Sequence, residues 1–128
     1  VDLPKTIRLP FDPRWAFNLP KSARFQIWVL DGKCMEPTLM HGDLIFVRKL
    51  TPRHGNIVAA FVDGQKMIKR YLVIDRKPLL RPDNPAHPDP TWEREMKVLG
   101  VVIGSCRSLR SCQRITGKRV VADAEVAL

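Results

Sequence analysis

Three thiols, Cys34, Cys106 and Cys112, are the side chains of this 128-residue chain best suited to covalent chemistry. A thiol can close a disulfide, hold a metal or, once ionised, attack a carbonyl. The odd count, the lack of a CxxC pair and the lack of a histidine at metal-ligand spacing argue against a disulfide framework and a structural zinc site. The expectation is a chain without metal or cofactor, suited to a reducing, cytoplasmic setting. Cys34 stands in the most informative stretch, Gly32-Lys33-Cys34-Met35-Glu36-Pro37-Thr38-Leu39-Met40-His41-Gly42-Asp43, which follows one strand-like run and ends in a Gly-Asp turn that launches the next. A second stretch is Gly55-Asn56-Ile57-Val58 followed by Met67-Ile68-Lys69-Arg70-Tyr71. A third is Leu80-Arg81-Pro82-Asp83-Asn84-Pro85, followed by Gly100-Val101-Val102.

The elements that must position these stretches are short strands. Phe25, Ile27 and Val29 alternate with Gln26 and Trp28, a period-two pattern that ends at the Asp31-Gly32 turn signal. Residues 44–47, 57–62, 67–74 and 98–103 are further β-rich runs, punctuated by Gly42-Asp43, His54-Gly55, Asp63-Gly64 and a proline cluster over residues 82–90. Asp63-Gly64 suits a tight turn, so residues 57–74 read as a hairpin. Pro4, Pro10, Pro13 and Pro20 make residues 1–21 an extended N-terminal arm rather than a helix. The fold class expected is mainly β, with one domain over residues 22–104 and a basic C-terminal tail over residues 105–128. There is no internal repeat. In the tail, Cys106, Leu109 and Cys112 recur every third residue with Arg107, Arg110 and Arg114 between them, the pattern of a short basic amphipathic helix.

Taken together and in this order, the stretches resemble the serine-lysine peptidase domain of LexA-like repressors and UmuD-like mutagenesis proteins. The pattern of that family runs G-x-S-M-x-P-T, then G-D, G-x-I-V, K-R, P-x-N-P and G-V-V. The resemblance covers residues 17–103 and implies a compact LexA C-terminal/UmuD-like β domain. Bacterial signal peptidases share the Met-x-Pro-Thr-Leu and Gly-Asp blocks and a lysine base. They are membrane-anchored, whereas no apolar run here is long enough to span a bilayer, and Asp83-Asn84-Pro85 looks like the LexA/UmuD side.

Carried over by position, the resemblance puts Cys34 on the nucleophile and Lys69 on the general base, with Met35 and Pro37 beside them at the substrate. A lysine in water is charged at neutral pH and accepts no proton; burial disfavours the ammonium and makes it a base. In a strand Lys69 shares a face with Met67 and Tyr71, apolar neighbours consistent with that desolvation. A lysine in a strand is ordinarily a solvated surface residue, and only the ordered blocks single Lys69 out. Cys34 departs from the family's serine. A thiol ionises more readily than a hydroxyl, so a Cys–Lys pair can rest as thiolate and ammonium, and the ammonium can protonate the leaving amine. A natural cysteine peptidase, an attenuated variant and an engineered serine-to-cysteine change all fit. Gly32 and Gly42 are read as turn formers, Asp43 as a partner of local backbone, His41 and His54 as turn or surface histidines, and Met35 as a core or pocket wall.

The resemblance also implies self-cleavage of an N-terminal segment, a homodimer, regulation by a RecA–single-stranded-DNA filament, and contact with a DNA polymerase. Cleavage in that family falls between a small residue and glycine, yet the chain has no Ala-Gly or Cys-Gly dipeptide and starts at Val1. The scissile bond therefore precedes Val1, differs in type, or has been lost. The alternative is a catalytically silent dimerisation or partner-binding domain of the same fold. Composition adds a net charge of +9, which favours an anionic partner such as nucleic acid, contacted weakly and without sequence preference by the tail. No helix-turn-helix, zinc finger or aromatic-rich RNA motif is present to read bases.

Overall fold

A computed structural model of the chain describes residues 6–9, 11–87, 96–107 and 122–127. In chain order the elements are β1 (Thr6–Leu9), a single helical turn α1 (Pro13–Ala16), β2 (Gln26–Val29), β3 (Leu44–Arg48), β4 (Ile57–Val62), β5 (Gln65–Ile74), β6 (Lys77–Arg81), β7 (Met96–Cys106) and β8 (Ala122–Ala127). The described strands form one sheet of order β1-β8-β2-β3-β7-β4-β5-β6. Neighbours are antiparallel except β2 and β8, which run parallel. The protein is mainly β, as its turn-rich sequence indicates.

Both hairpins at one end of the sheet turn on left-handed residues. Asp63 and Gly64, at φ 48° and 80°, join β4 to β5, the geometry that matches the twist of a two-residue hairpin. Asp75 and Arg76, at φ 50° and 64°, do the same between β5 and β6 without a glycine to announce the turn.

Alternation along the central strands sends side chains to the two faces of the sheet, where they form three clusters. Ile45 and Val47 of β3 and Ala59 of β4 join Trp28, Leu30, Met35, Leu39 and Ile68 on one face. Leu44 and Phe46 lie on the other with Leu9 and Ile27, flanked by Phe11, Phe17 and Phe25. Val58, Ala60 and Val62 meet Leu80 and Val101 further along. Because one cluster contains both Trp28 of β2 and Ile68 of β5, which have three strands between them in the sheet, the sheet must coil around it. The Lys66 ammonium lies 5.5 Å from the Trp28 ring centroid, consistent with that curvature. Coiling also explains why Trp28 is buried although simple alternation put it opposite Ile27 with Gln26.

Two expectations need correction at the chain ends. The stretch over residues 1–21 is not extended throughout: Thr6–Leu9 is a strand, but Pro13–Ala16 makes a helical turn. Pro13 occupies a first-turn position where no N–H is needed, and Asp12 caps it by accepting from the Arg14 N–H at 2.9 Å. Of the expected tail, the described residues 105–106 and 122–127 belong to the sheet. β7 runs through Cys106, and Ala122–Ala127 enters the sheet between β1 and β2. Ser105 and Cys106 are therefore strand residues, and Leu109, Arg110, Cys112 and Arg114 of the expected amphipathic helix lie outside the described residues, as do Lys118 and Arg119 of the basic tail.

Candidate active site

The loop that carries Cys34 is closed on itself and plugged into the core. The Leu30 N–H donates to the Asp43 carbonyl at 3.0 Å, and the Gly42 N–H donates to the Leu30 carbonyl at 2.8 Å. Gly32 and Gly42 take φ 98° and 89°, values that a side chain would strain, so both serve as the turn formers expected of them. Met35 and Leu39 point inward at 0% and 4% exposure, and the Leu39 N–H reaches the Met35 carbonyl at 2.9 Å. Met35 thus anchors the loop from below, with no surface left for a peptide; Pro37 is exposed.

Asp43, 1% exposed, ties this loop to the end of β7. It accepts from the Met40 N–H at 2.8 Å and from Arg107 Nε and Nη2 at 2.6 and 2.8 Å. Burial pushes the Asp43 carboxyl up, but the Arg107 hydrogen bonds and the Met40 N–H outweigh it and hold the group below its ordinary value.

Lys69 is half-buried on β5 opposite Val58, between Met67 and Tyr71, which pack at the Val58 cluster. Cys34 is also half-buried, and its Sγ donates to the Ile68 carbonyl at 3.8 Å, the carbonyl of the peptide leading into Lys69. Strand register explains why that carbonyl is available. The Tyr71 N–H and carbonyl bond to Asn56 and Gly55 on the β4 side, so the backbone groups of Ile68 and Arg70 face the β6 side. The β5–β6 ladder starts only at Arg70, opposite Arg81. Cys34 caps the edge of β5 just where β6 has left it.

The chain leaving β6 then folds back over the thiol. The Asn84 N–H donates to the Cys34 carbonyl and its Nδ2 to the Lys33 carbonyl, both at 2.9 Å. Asp83 accepts from Arg70 Nε at 3.2 Å and Nη2 at 2.6 Å, and from Thr38 Oγ1 at 2.6 Å. Arg70 Nη1 continues to the Gly55 carbonyl at 2.8 Å. The Arg70 guanidinium, ahead of a smaller opposing effect of burial and with help from Thr38, holds the Asp83 carboxyl below its ordinary value. Blocks scattered over residues 32–85 therefore meet at one place. Thr38, Arg70 and Asp83 were not singled out from sequence; their common presence inside the ordered blocks was the available signal.

His41 and His54 are turn residues in the structure. Nδ1 of His41 accepts from the Gly32 N–H and Nδ1 of His54 from the Val73 N–H, each at 2.9 Å, and both rings are exposed. Among the described residues no three His, Cys, Asp or Glu side chains are placed to hold a metal, and no helix is long and apolar enough to cross a membrane.

A family model described as Peptidase S24-like matches residues 4–103, and the chain belongs to that family. It is 36% identical over 99 residues to a LexA repressor of Verrucomicrobium spinosum, covering 77% of this chain and 49% of that protein. A LexA repressor of Desulfitobacterium hafniense is 34% identical over 86 residues, 66% of this chain and 42% of its own length. Protein SamA of Salmonella typhimurium is 35% identical over 91 residues, 70% of this chain and 64% of its own. The chain spans about half the length of the Verrucomicrobium spinosum LexA repressor that it matches.

Proposed function

We propose that this chain is the self-cleaving peptidase domain of a LexA-like repressor or UmuD-like mutagenesis protein, with Cys34 as nucleophile and Lys69 as general base. One observation supports the reading above others: the Cys34 thiol donates to the Ile68 carbonyl, which brings the loop of the nucleophile against the backbone that leads into Lys69. Lys69 takes the thiol proton and the thiolate attacks the scissile carbonyl carbon. Collapse of the tetrahedral adduct breaks the C–N bond, and the Lys69 ammonium returns the proton to the leaving amine. Water then hydrolyses the thioester and regenerates the thiol. The substrate is the protein's own N-terminal region; the exposed Pro37 borders its path. A homodimer, a RecA–single-stranded-DNA filament and a DNA polymerase are the partners that go with this role.

Lys69→Ala in a longer precursor should abolish self-cleavage while leaving the urea midpoint near that of the parent, since it removes the base without opening a core cavity. Undiminished cleavage in that variant would rule the mechanism out. The competing reading is a silent partner-binding domain, and a cysteine at the serine position favours it. Alkylation separates the two: a Cys34 whose reactivity depends on Lys69 supports the dyad, and one indifferent to Lys69 supports the silent domain.

A further inference from the structure

We propose that Asp83 is a positioning residue for the Cys34–Lys69 pair, holding the thiol-bearing loop and the lysine-bearing strand through one carboxylate; this rests on the dyad reading above. Cys34 and Lys69 belong to separate elements, and a strand and a loop keep reactive groups in register only if something ties them together. Asp83 reaches both. One oxygen accepts from Thr38, four positions after the thiol, at 2.6 Å, and the carboxylate takes a two-pronged bond from Arg70, the residue after Lys69, at 3.2 and 2.6 Å. Its neighbour Asn84 holds the Lys33 and Cys34 carbonyls. An exposed ion pair would contribute little, but here the Arg70 and Asp83 side chains are only 29% and 16% exposed, and the fork fixes orientation as well as distance. Arg70 is itself anchored at the Gly55 carbonyl, so the clamp is referenced to a rigid hairpin. Asp83 touches neither reacting atom in this network and acts through Thr38 and Arg70.

Simple electrostatics predicts the opposite sign. Neutralising Asp83 leaves the Arg70 charge uncompensated beside Lys69, which would favour loss of a proton nearby and make the thiol more reactive. A positioning role makes it less reactive, so direction alone separates the two.

The test is the pH profile of Cys34 alkylation by iodoacetamide, read at Cys34 by peptide mass spectrometry, in the full chain and in Lys69→Ala, Asp83→Asn, Asp83→Glu and Thr38→Val. Asp83→Asn should displace the profile toward that of Lys69→Ala and slow alkylation at neutral pH about tenfold. Asp83→Glu, which keeps the carboxylate, should recover a large part at an equal urea midpoint. An Asp83→Asn profile superposable on the parent, or one with faster alkylation, overturns the proposal. Should that variant fail to fold, Thr38→Val decides: a smaller displacement in the same direction supports the clamp, and a parental profile overturns it. If Lys69→Ala itself leaves the profile unchanged, the dyad reading fails first and the clamp falls with it.

Discussion

Asn84 holds the main chain of Cys34: its N–H donates to the Cys34 carbonyl at 2.9 Å, while its side chain holds Lys33. Asn84→Ala keeps the backbone bond and removes two side-chain ones, from Nδ2 to the Lys33 carbonyl and from the Ala86 N–H to Oδ1. The expected cost is about 1 kcal/mol, read as a lower urea midpoint. Amide exchange should quicken over residues 33–36 and stay unchanged in β3.

Cys34→Ser should restore the serine-lysine pairing and retain or raise precursor cleavage at alkaline pH, where a neutral lysine is easier to reach. The measurement is cleavage rate against pH for both chains. A serine variant inert at every pH at which the parent cleaves would contradict this expectation.

Asp12, Asp43 and Asp83 are all held below the ordinary carboxyl value of 3.8. The unfolded chain therefore binds more protons than the folded one in acid. Their stabilisation is fully present above about pH 4 and is lost as pH falls through the depressed folded values. Asp83→Asn should flatten that acid-side decline while lowering stability at neutral pH. Urea midpoints from pH 7 down to 2 would show it; an equally steep decline in the variant would assign the acid sensitivity elsewhere.

Gly100→Ala should destabilise by about 1–3 kcal/mol through overpacking. A Cβ there would stand 2.6 Å from Val47 Cγ1 and 2.7 Å from the Arg48 carbonyl oxygen, and backbone cannot swing aside as a long side chain can. Thermal unfolding of the variant checks this, and an unchanged midpoint would mean that β3 yields.

Local signals made much of the sheet legible. Asp63-Gly64 announced its hairpin, and the apolar runs of β3, β4 and β5 announced theirs, because turn chemistry and side-chain period act over a few residues. β6 escaped notice because Asp75 and Arg76 adopt left-handed backbone without a glycine. At the end of β7 the three-residue recurrence of Cys106, Leu109 and Cys112 suggests a helix, and nothing local reveals that Arg107 meets Asp43, 64 positions away. The clamp was invisible for the same reason. Thr38, Arg70 and Asp83 are ordinary polar residues until the fold juxtaposes them, and no periodicity encodes that meeting.

The place of β8 bears on how the protein comes together. Gln26 of β2 pairs with Glu125, and Thr6 of β1 pairs with the same residue from the other side. Within the described ladder β1 and β2 are thus hydrogen-bonded through a segment about a hundred positions further along, a long loop to close before either pairing contributes. As the chain grows from a ribosome, β2 can pair with β3 early, but its other edge waits, unpaired, until β8 has emerged. Ladder pairing at this end of the sheet is therefore a late event: Leu9 can pack on Ile27 and Phe46 early, but β1 finds its hydrogen-bonding partner only when β8 arrives.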